Sequence, residues 1–180
     1  KYEGLAFNQY DQTDNMTDRM AAMQACLNYA QDEERTNALL SDYYTRFHHD
    51  PHALDKWFAA QARAIGRNTL ENVKRLKSHK DFSLDNPNRV RALLNTFAIR
   101  NPVCFHAEDG SGYAFIKDCV LEIDKINPQS ASSLLIPFRS YASYREDLKQ
   151  KMHDTLYTLY KTPGISSDIY EILRNAVNDG

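Results

Sequence analysis

The densest run of chemically capable side chains is His106-Ala107-Glu108-Asp109-Gly110-Ser111-Gly112-Tyr113, which brings an imidazole, two carboxylates, a hydroxyl and a phenol into one short stretch. His106, Asp109 and Ser111 have the residue types of a nucleophilic triad. A triad needs base and orienter to approach the hydroxyl from separate elements, and a single short loop does not provide that. Glu108 and Asp109 could pair for acid–base work, but neighbouring side chains point apart. Capping the helix that follows, or pairing with Arg89, Arg91 or Arg100, suits them better. Gly110 and Gly112 do not make the G-x-G-x-x-G of a phosphate-cradling loop. From residue types alone this stretch is a polar turn between helices.

Just upstream, Asn86-Pro87 joins an Asx cap to a proline at the first helical position. Val90, Leu93, Leu94 and Phe97 follow at helical spacing and mark a core face. Arg89 and Arg91 fall in the first two turns, where the helix macrodipole disfavours a cation. A solvated arginine would be better placed at the other end, so a partner for them is expected.

Two further clusters have a plainer use. His48-His49-Asp50-Pro51-His52 has metal-ligand residue types, but a proline-started helix would have to aim every imidazole at one point. Histidines at a helix C-terminus are favoured by the dipole alone, so no metal site is expected in this chain. Lys74, Arg75, Lys77, His79 and Lys80 could touch phosphates. They lack interleaved aromatics and read as a solvated helix face.

The elements that must hold these groups are helical. Met16, Met20, Met23, Leu27 and Ala30 form one stripe. Methionine stripes can line adaptable grooves, but core packing is the expectation here. A helix from about Glu33 to His48 turns Leu39, Leu40, Tyr43, Tyr44 and Phe47 inward, and the next buries Leu54, Trp57, Phe58, Ala62 and Ile65. Asn68-x-x-Glu71 and Ser143-x-x-Glu146 have the form of capping boxes, and Ser111 is a candidate cap for the helix carrying Tyr113, Ile116, Val120 and Ile123. Residues 1–13 have no clear period and read as the tail of a helix plus a turn. The pattern predicts an all-α fold. About eight or nine antiparallel helices would form an α-solenoid of HEAT- or armadillo-like pairs, arranged as a single domain over residues 1–180.

Composition narrows the function. A net charge of −2 gives no pull toward nucleic acid or anionic lipid. There is no apolar run near the length of a membrane span and no signal-peptide pattern. Cys26, Cys104 and Cys119 lack C-x-x-C spacing and read as reduced core thiols, which suits a cytoplasmic protein. Lys1-Tyr2-Glu3, with no initiating methionine, reads as a cut edge.

Several motifs also carry a family resemblance: DNMTDRMAA at Asp14–Ala22, DKWF at Asp55–Phe58, DNPNRVR from Asp85, NPVCFHAEDGSGY from Asn101 and NPQSAS from Asn127. Together they resemble the C-terminal helical domain of bacterial aminopeptidase N, a zinc aminopeptidase of the H-E-x-x-H class. No H-E-x-x-H occurs in these 180 residues. The resemblance implies a non-catalytic part of a larger cytosolic enzyme, with the zinc in another domain of the same parent chain. It implies stacked helices that close over the catalytic domain as the wall and gate of a chamber for small peptides. By similarity, the starts of the NPNRVR and NPQ helices face that chamber, as does the loop of His106, Glu108, Asp109 and Tyr113. Arg91 would meet peptide carbonyls or a C-terminal carboxylate, with Arg89 beside it and Gln129 as a polar contact. The family pattern has an arginine four residues after that glutamine, where this chain has Ser133. The alternative is a free-standing α-solenoid that binds other proteins, with Arg89 and Arg91 paired to acids of the HAEDGSGY loop.

Overall fold

In the computed structural model, which describes residues 2–66 and 68–178, the chain is built from helices, with no strand among the described residues. The first five are α1 (Tyr2–Gln12), α2 (Met16–Tyr29), α3 (Glu33–Phe47), α4 (Pro51–Ala62) and α5 (Thr69–Lys77). A sixth helix, α6 (residues 87–100), is α-helical at Pro87–Val90, passes through a π-helical turn at Arg91–Asn95 and ends at Thr96–Arg100. Then come α7 (Pro102–Phe105), α8 (Ser111–Asp124) and α9 (Pro128–Ser133). A 3₁₀ helix at Ile136–Ser143, α10 (Glu146–Tyr160) and α11 (Ser167–Asn178) complete the chain.

Local chemistry sets where these helices begin. Asn15, Asp32, Asp50, Asn86, Asn101 and Asn127 each accept a hydrogen bond from an amide of the first turn. A side-chain cap of this kind contributes on the order of 1 kcal/mol. Four of the six are followed by proline at the first helical position, where the missing N–H costs nothing. Three expected caps differ. Asn68 makes no side-chain cap bond; instead the Thr69 hydroxyl accepts from the Gly66 amide (3.1 Å) and donates to the Ala64 carbonyl (2.8 Å). Glu71, the far end of that expected box, pairs with Lys74 at 2.7 Å. α10 begins after Arg145 and not at Ser143, and α8 is preceded by Gly110 in the left-handed region (φ 74°), with Ser111 as its first residue.

The helices pack into a continuous array. α4 is central to the N-terminal half, touching α2, α3, α5 and α6, while α8 packs against α7, α9 and α10. Val90, Leu93, Leu94 and Phe97 are all at most 1% exposed and fix α6 in the core. The Phe97 ring meets Phe105 and Phe115 edge-on, tying α6 to α7 and α8. The methionine stripe is core at Met23 and partly buried at Met16, Met20 and Leu27. Residues 2–12 form a full helix with Phe7 and Tyr10 buried, more order than the sequence suggested. Ile65, expected inside, is 49% exposed because α4 has already ended at Ala62. The cysteines are free thiols, two of them buried. No described helix is long and apolar enough to cross a membrane.

Candidate functional site

The two arginines at the start of α6 point in different directions. Arg89 is 7% exposed and turns inward, onto α4. Its guanidinium forms an ion pair with Asp55 and donates to the carbonyls of Pro51 and Asp81, each at 3.2 Å. Its Cζ also lies 5.8 Å from the centre of the Phe58 ring. The unfavourable dipole end is thus offset by a partly buried carboxylate and two carbonyls. DKWF supplies both the Asp55 acid and the aromatic ring.

Arg91 stays at the surface. Its one side-chain hydrogen bond among the described residues goes to Asn88 Oδ1 at 3.1 Å, one turn earlier. It lines a groove of about 430 Å³ between α4 and α6, shared with His52, Lys56, Ala59, Asn88 and Thr96. The π turn shapes this wall. An extra residue per turn lets the Thr96 hydroxyl donate to the Arg91 carbonyl at 3.2 Å, five residues back. A 3.6-residue period gives no sign of that register, so Thr96 and Asn95 were missed from sequence.

Asn95 closes the same turn and reaches across to α9. Its Nδ2 donates to Ser133 Oγ at 3.0 Å, and that hydroxyl donates to the Ser130 carbonyl at 2.6 Å. The NPNRVR and NPQ helices are therefore joined directly. Gln129 sits exposed in the first turn of α9, next to this link. Ser133 is already engaged by Asn95 and offers no charge.

The HAEDGSGY loop is organised around its own helix. Asp109 Oδ1 accepts the Ser111 amide at 2.9 Å, and bonds from the Ser111 hydroxyl and amide hold its carboxyl below the usual carboxylate range. Glu108 is exposed, with Arg145 at 3.8 Å, and its backbone carbonyl accepts from Lys151. His106 Nδ1 lies 2.7 Å from the Tyr113 hydroxyl, and its ring packs on Tyr144 and Phe105. Burial pushes the His106 pKa down and the Tyr113 phenol up to about 12. The phenol therefore keeps its proton, beside a neutral imidazole. Among the described residues, Arg89, Arg91 and Arg100 form no ion pair with Glu108 or Asp109. Asp109 holds the first amide of the helix, and the basic partner of Glu108 is Arg145.

The histidines near α4 serve local structure as well. His48 Nδ1 donates to the Tyr44 carbonyl at 3.0 Å, and Asp50 caps α4 through the amides of His52 and Ala53. No three or more His, Cys, Asp or Glu side chains come together as a metal site among the described residues. The basic run of α5 is paired in part: Lys77 meets Glu122 at 2.6 Å, and His79 lies among Tyr44, Trp57 and Phe58.

Residues 1–178 match a family model described as a domain of unknown function (DUF3458_C) with ARM repeats. The chain is 37% identical over 173 residues to Aminopeptidase N of Escherichia coli, and 40% identical over 135 residues to that of Caulobacter vibrioides. It belongs to the C-terminal helical domain of aminopeptidase N-type enzymes. A crystal structure of Legionella pneumophila aminopeptidase A in complex with aspartic acid superimposes with a TM-score of 0.92 at 32% identity, covering 99% of this chain. The chain spans 20% of the E. coli relative, 16% of the Caulobacter relative and 21% of the Legionella chain. The armadillo-like array read from sequence is the fold of this aminopeptidase N domain. A free-standing module is not favoured, because these relatives carry the same helices as about a fifth of a longer chain.

Proposed function

We propose that this domain is the non-catalytic wall and gate of a peptide chamber. Its parent is a cytosolic zinc aminopeptidase that removes N-terminal residues from small peptides. The zinc would lie in the parent's catalytic domain, since the described residues here provide no donor set that fits it. That domain is the partner of this one, and the peptides are its substrates. The observation that carries the proposal is Arg91: an exposed cation on the second turn of α6, in no ion pair among the described residues, lining a groove of about 430 Å³. Arg89 supports it from behind by anchoring α6 on α4. Gln129 contributes a polar contact from α9. Where the family has a second arginine this domain has Ser133, already bonded to Asn95, so the carboxylate contact falls on Arg91. The loop of His106, Glu108, Asp109 and Tyr113 forms part of the chamber rim, and its shape rather than its charge is its contribution.

The test uses the full-length parent enzyme. A charge-assisted bond to a peptide carboxylate contributes about 1.5–3 kcal/mol. Arg91→Ala should then lower kcat/KM for di- and tripeptides by roughly 10- to 100-fold. A single-residue chromogenic amide has no such carboxylate and should lose much less. Equal losses on peptide and amide, accompanied by a lower Tm, would overturn the proposal.

A further inference from the structure

The groove beside Arg91 does not end at α6. A second depression, of about 610 Å³, lies between α2 and α4 and is lined by Met20, Gln24, Asn28, Tyr29 and Arg63. Lys56 and Ala59 of α4 line both depressions, so the two adjoin at that helix and make up a trough flanking it, toward α2 on one side and α6 on the other. Each is in the size range of a small-ligand site. The trough is cationic in a chain whose net charge is −2. Lys56, Arg63 and Arg91 line it. The one carboxylate in the lining, Asp55, is neutralised from behind by buried Arg89. Between the cations the lining includes alanines such as Ala59 and Ala92, with Met20 at the α2 end. Alanine side chains let a backbone come close, and a methionine adapts to varied side chains.

We infer that this trough receives the downstream residues of peptide substrates and favours acidic ones, with Lys56 and Arg63 as selectivity residues additional to Arg91. Like charge would exclude lysine- and arginine-rich peptides from the same path. The inference rests on the chamber-wall function proposed above.

In the full-length parent enzyme, kcat/KM would be compared for Ala-Ala-Glu-Glu and Ala-Ala-Lys-Lys, both as C-terminal amides. Amidation removes the terminal carboxylate and separates this effect from that of Arg91. The acidic peptide should be preferred. Lys56→Gln and Arg63→Gln should each cut the acidic-to-basic ratio about two- to fivefold, the scale of a partly exposed charge pair. Lys56→Glu with Arg63→Glu should invert the preference, and raised salt should weaken it in the unaltered enzyme. Both side chains are exposed, so folding should survive these changes. An unchanged ratio with unchanged Tm would mean that peptides do not use the trough. An unchanged ratio with a lowered Tm would mean that another part of the parent chain covers it. Either result overturns the inference, while the peptide-against-amide test of Arg91 separately judges the chamber wall.

Discussion

At the start of α6, two arginines two residues apart have opposite fates: Arg89 is held by Asp55 and two carbonyls, while Arg91 stands in an open groove, hydrogen-bonded to Asn88 and in no ion pair among the described residues. In the loop from His106 to Tyr113 most groups are turned on neighbours within the domain. Asp109 holds Ser111, His106 holds Tyr113, and the Glu108 carbonyl holds Lys151. The loop is richer in chemically capable residues, yet most of its polar groups find partners within the domain, although the Glu108 carboxylate is exposed. A site for an outside ligand needs a polar group that the fold positions and leaves unmatched. Arg91 meets that condition because Arg89 has already absorbed the local carboxylate.

The sharpest way to break this contrast is to remove Arg89. Arg89→Ala leaves Asp55 partly buried without its partner, along with two carbonyls that lose a donor. Breaking a buried pair from one side typically costs about 3–5 kcal/mol. The variant should lose that much in urea denaturation. Arg89→Met combined with Asp55→Leu should recover part of it, because no orphaned charge remains. A loss within 1 kcal/mol for Arg89→Ala would show that the anchor is not where α6 gets its position.

How much of this was visible in sequence differs between the same two regions. The helix start was legible because its signals are local: Asn86 as cap, Pro87 after it, and a 3.6-residue apolar period through Phe97. The partner of Arg89 was not, since Asp55 lies 34 positions away on α4 and only packing brings them together. The loop gave the reverse difficulty. Asp109 does hold the first amide of the following helix, one of the two roles the sequence suggests for the acids. Glu108 makes no cap bond among the described residues, and its basic neighbour is Arg145 and not an arginine of α6. The capping boxes at Asn68 and Ser143 failed for a related reason. Thr69 takes over at the first site, and the 3₁₀ helix running through Ser143 displaces the second.

Gly112 is the next place to press. In α8 it sits against the backbone of α7, where an added Cβ would lie 2.8 Å from the Cys104 carbonyl oxygen and press on Phe105 as well. Backbone cannot swing aside as a side chain can. Overpacking of this kind costs about 1–3 kcal/mol. Gly112→Ala should therefore lower the Tm even though alanine is the better helix former by about 1 kcal/mol. If the loop is a self-contained structural unit, this variant should leave the Arg91 peptide-to-amide ratio in the parent enzyme unaltered. A changed ratio would mean that loop and groove are coupled.

The smallest effect expected is that of pH on the His106–Tyr113 pair. Burial lowers the folded-state pKa of His106, so the unfolded chain takes up this proton at higher pH than the folded one. The neutral imidazole, hydrogen-bonded with a phenol whose own pKa is near 12, is the form the fold stabilises. Its contribution is complete above the unfolded histidine value, about 6.5, and is lost as pH falls through the folded value below it. His79, half-buried among aromatics and likewise shifted down, acts in the same direction, so it must be held constant. Melting curves between pH 7.5 and 5 should show Tm falling on acidification. His106→Gln should reduce that slope without removing it, because His79 remains. Tyr113→Phe should lower stability by roughly 1 kcal/mol at pH 7.5, the net worth of one neutral hydrogen bond. A slope identical in His106→Gln and the unaltered chain would mean that His106 titrates as freely in the fold as out of it. The loop's imidazole would then be available to an outside partner after all, and the contrast with Arg91 would fail.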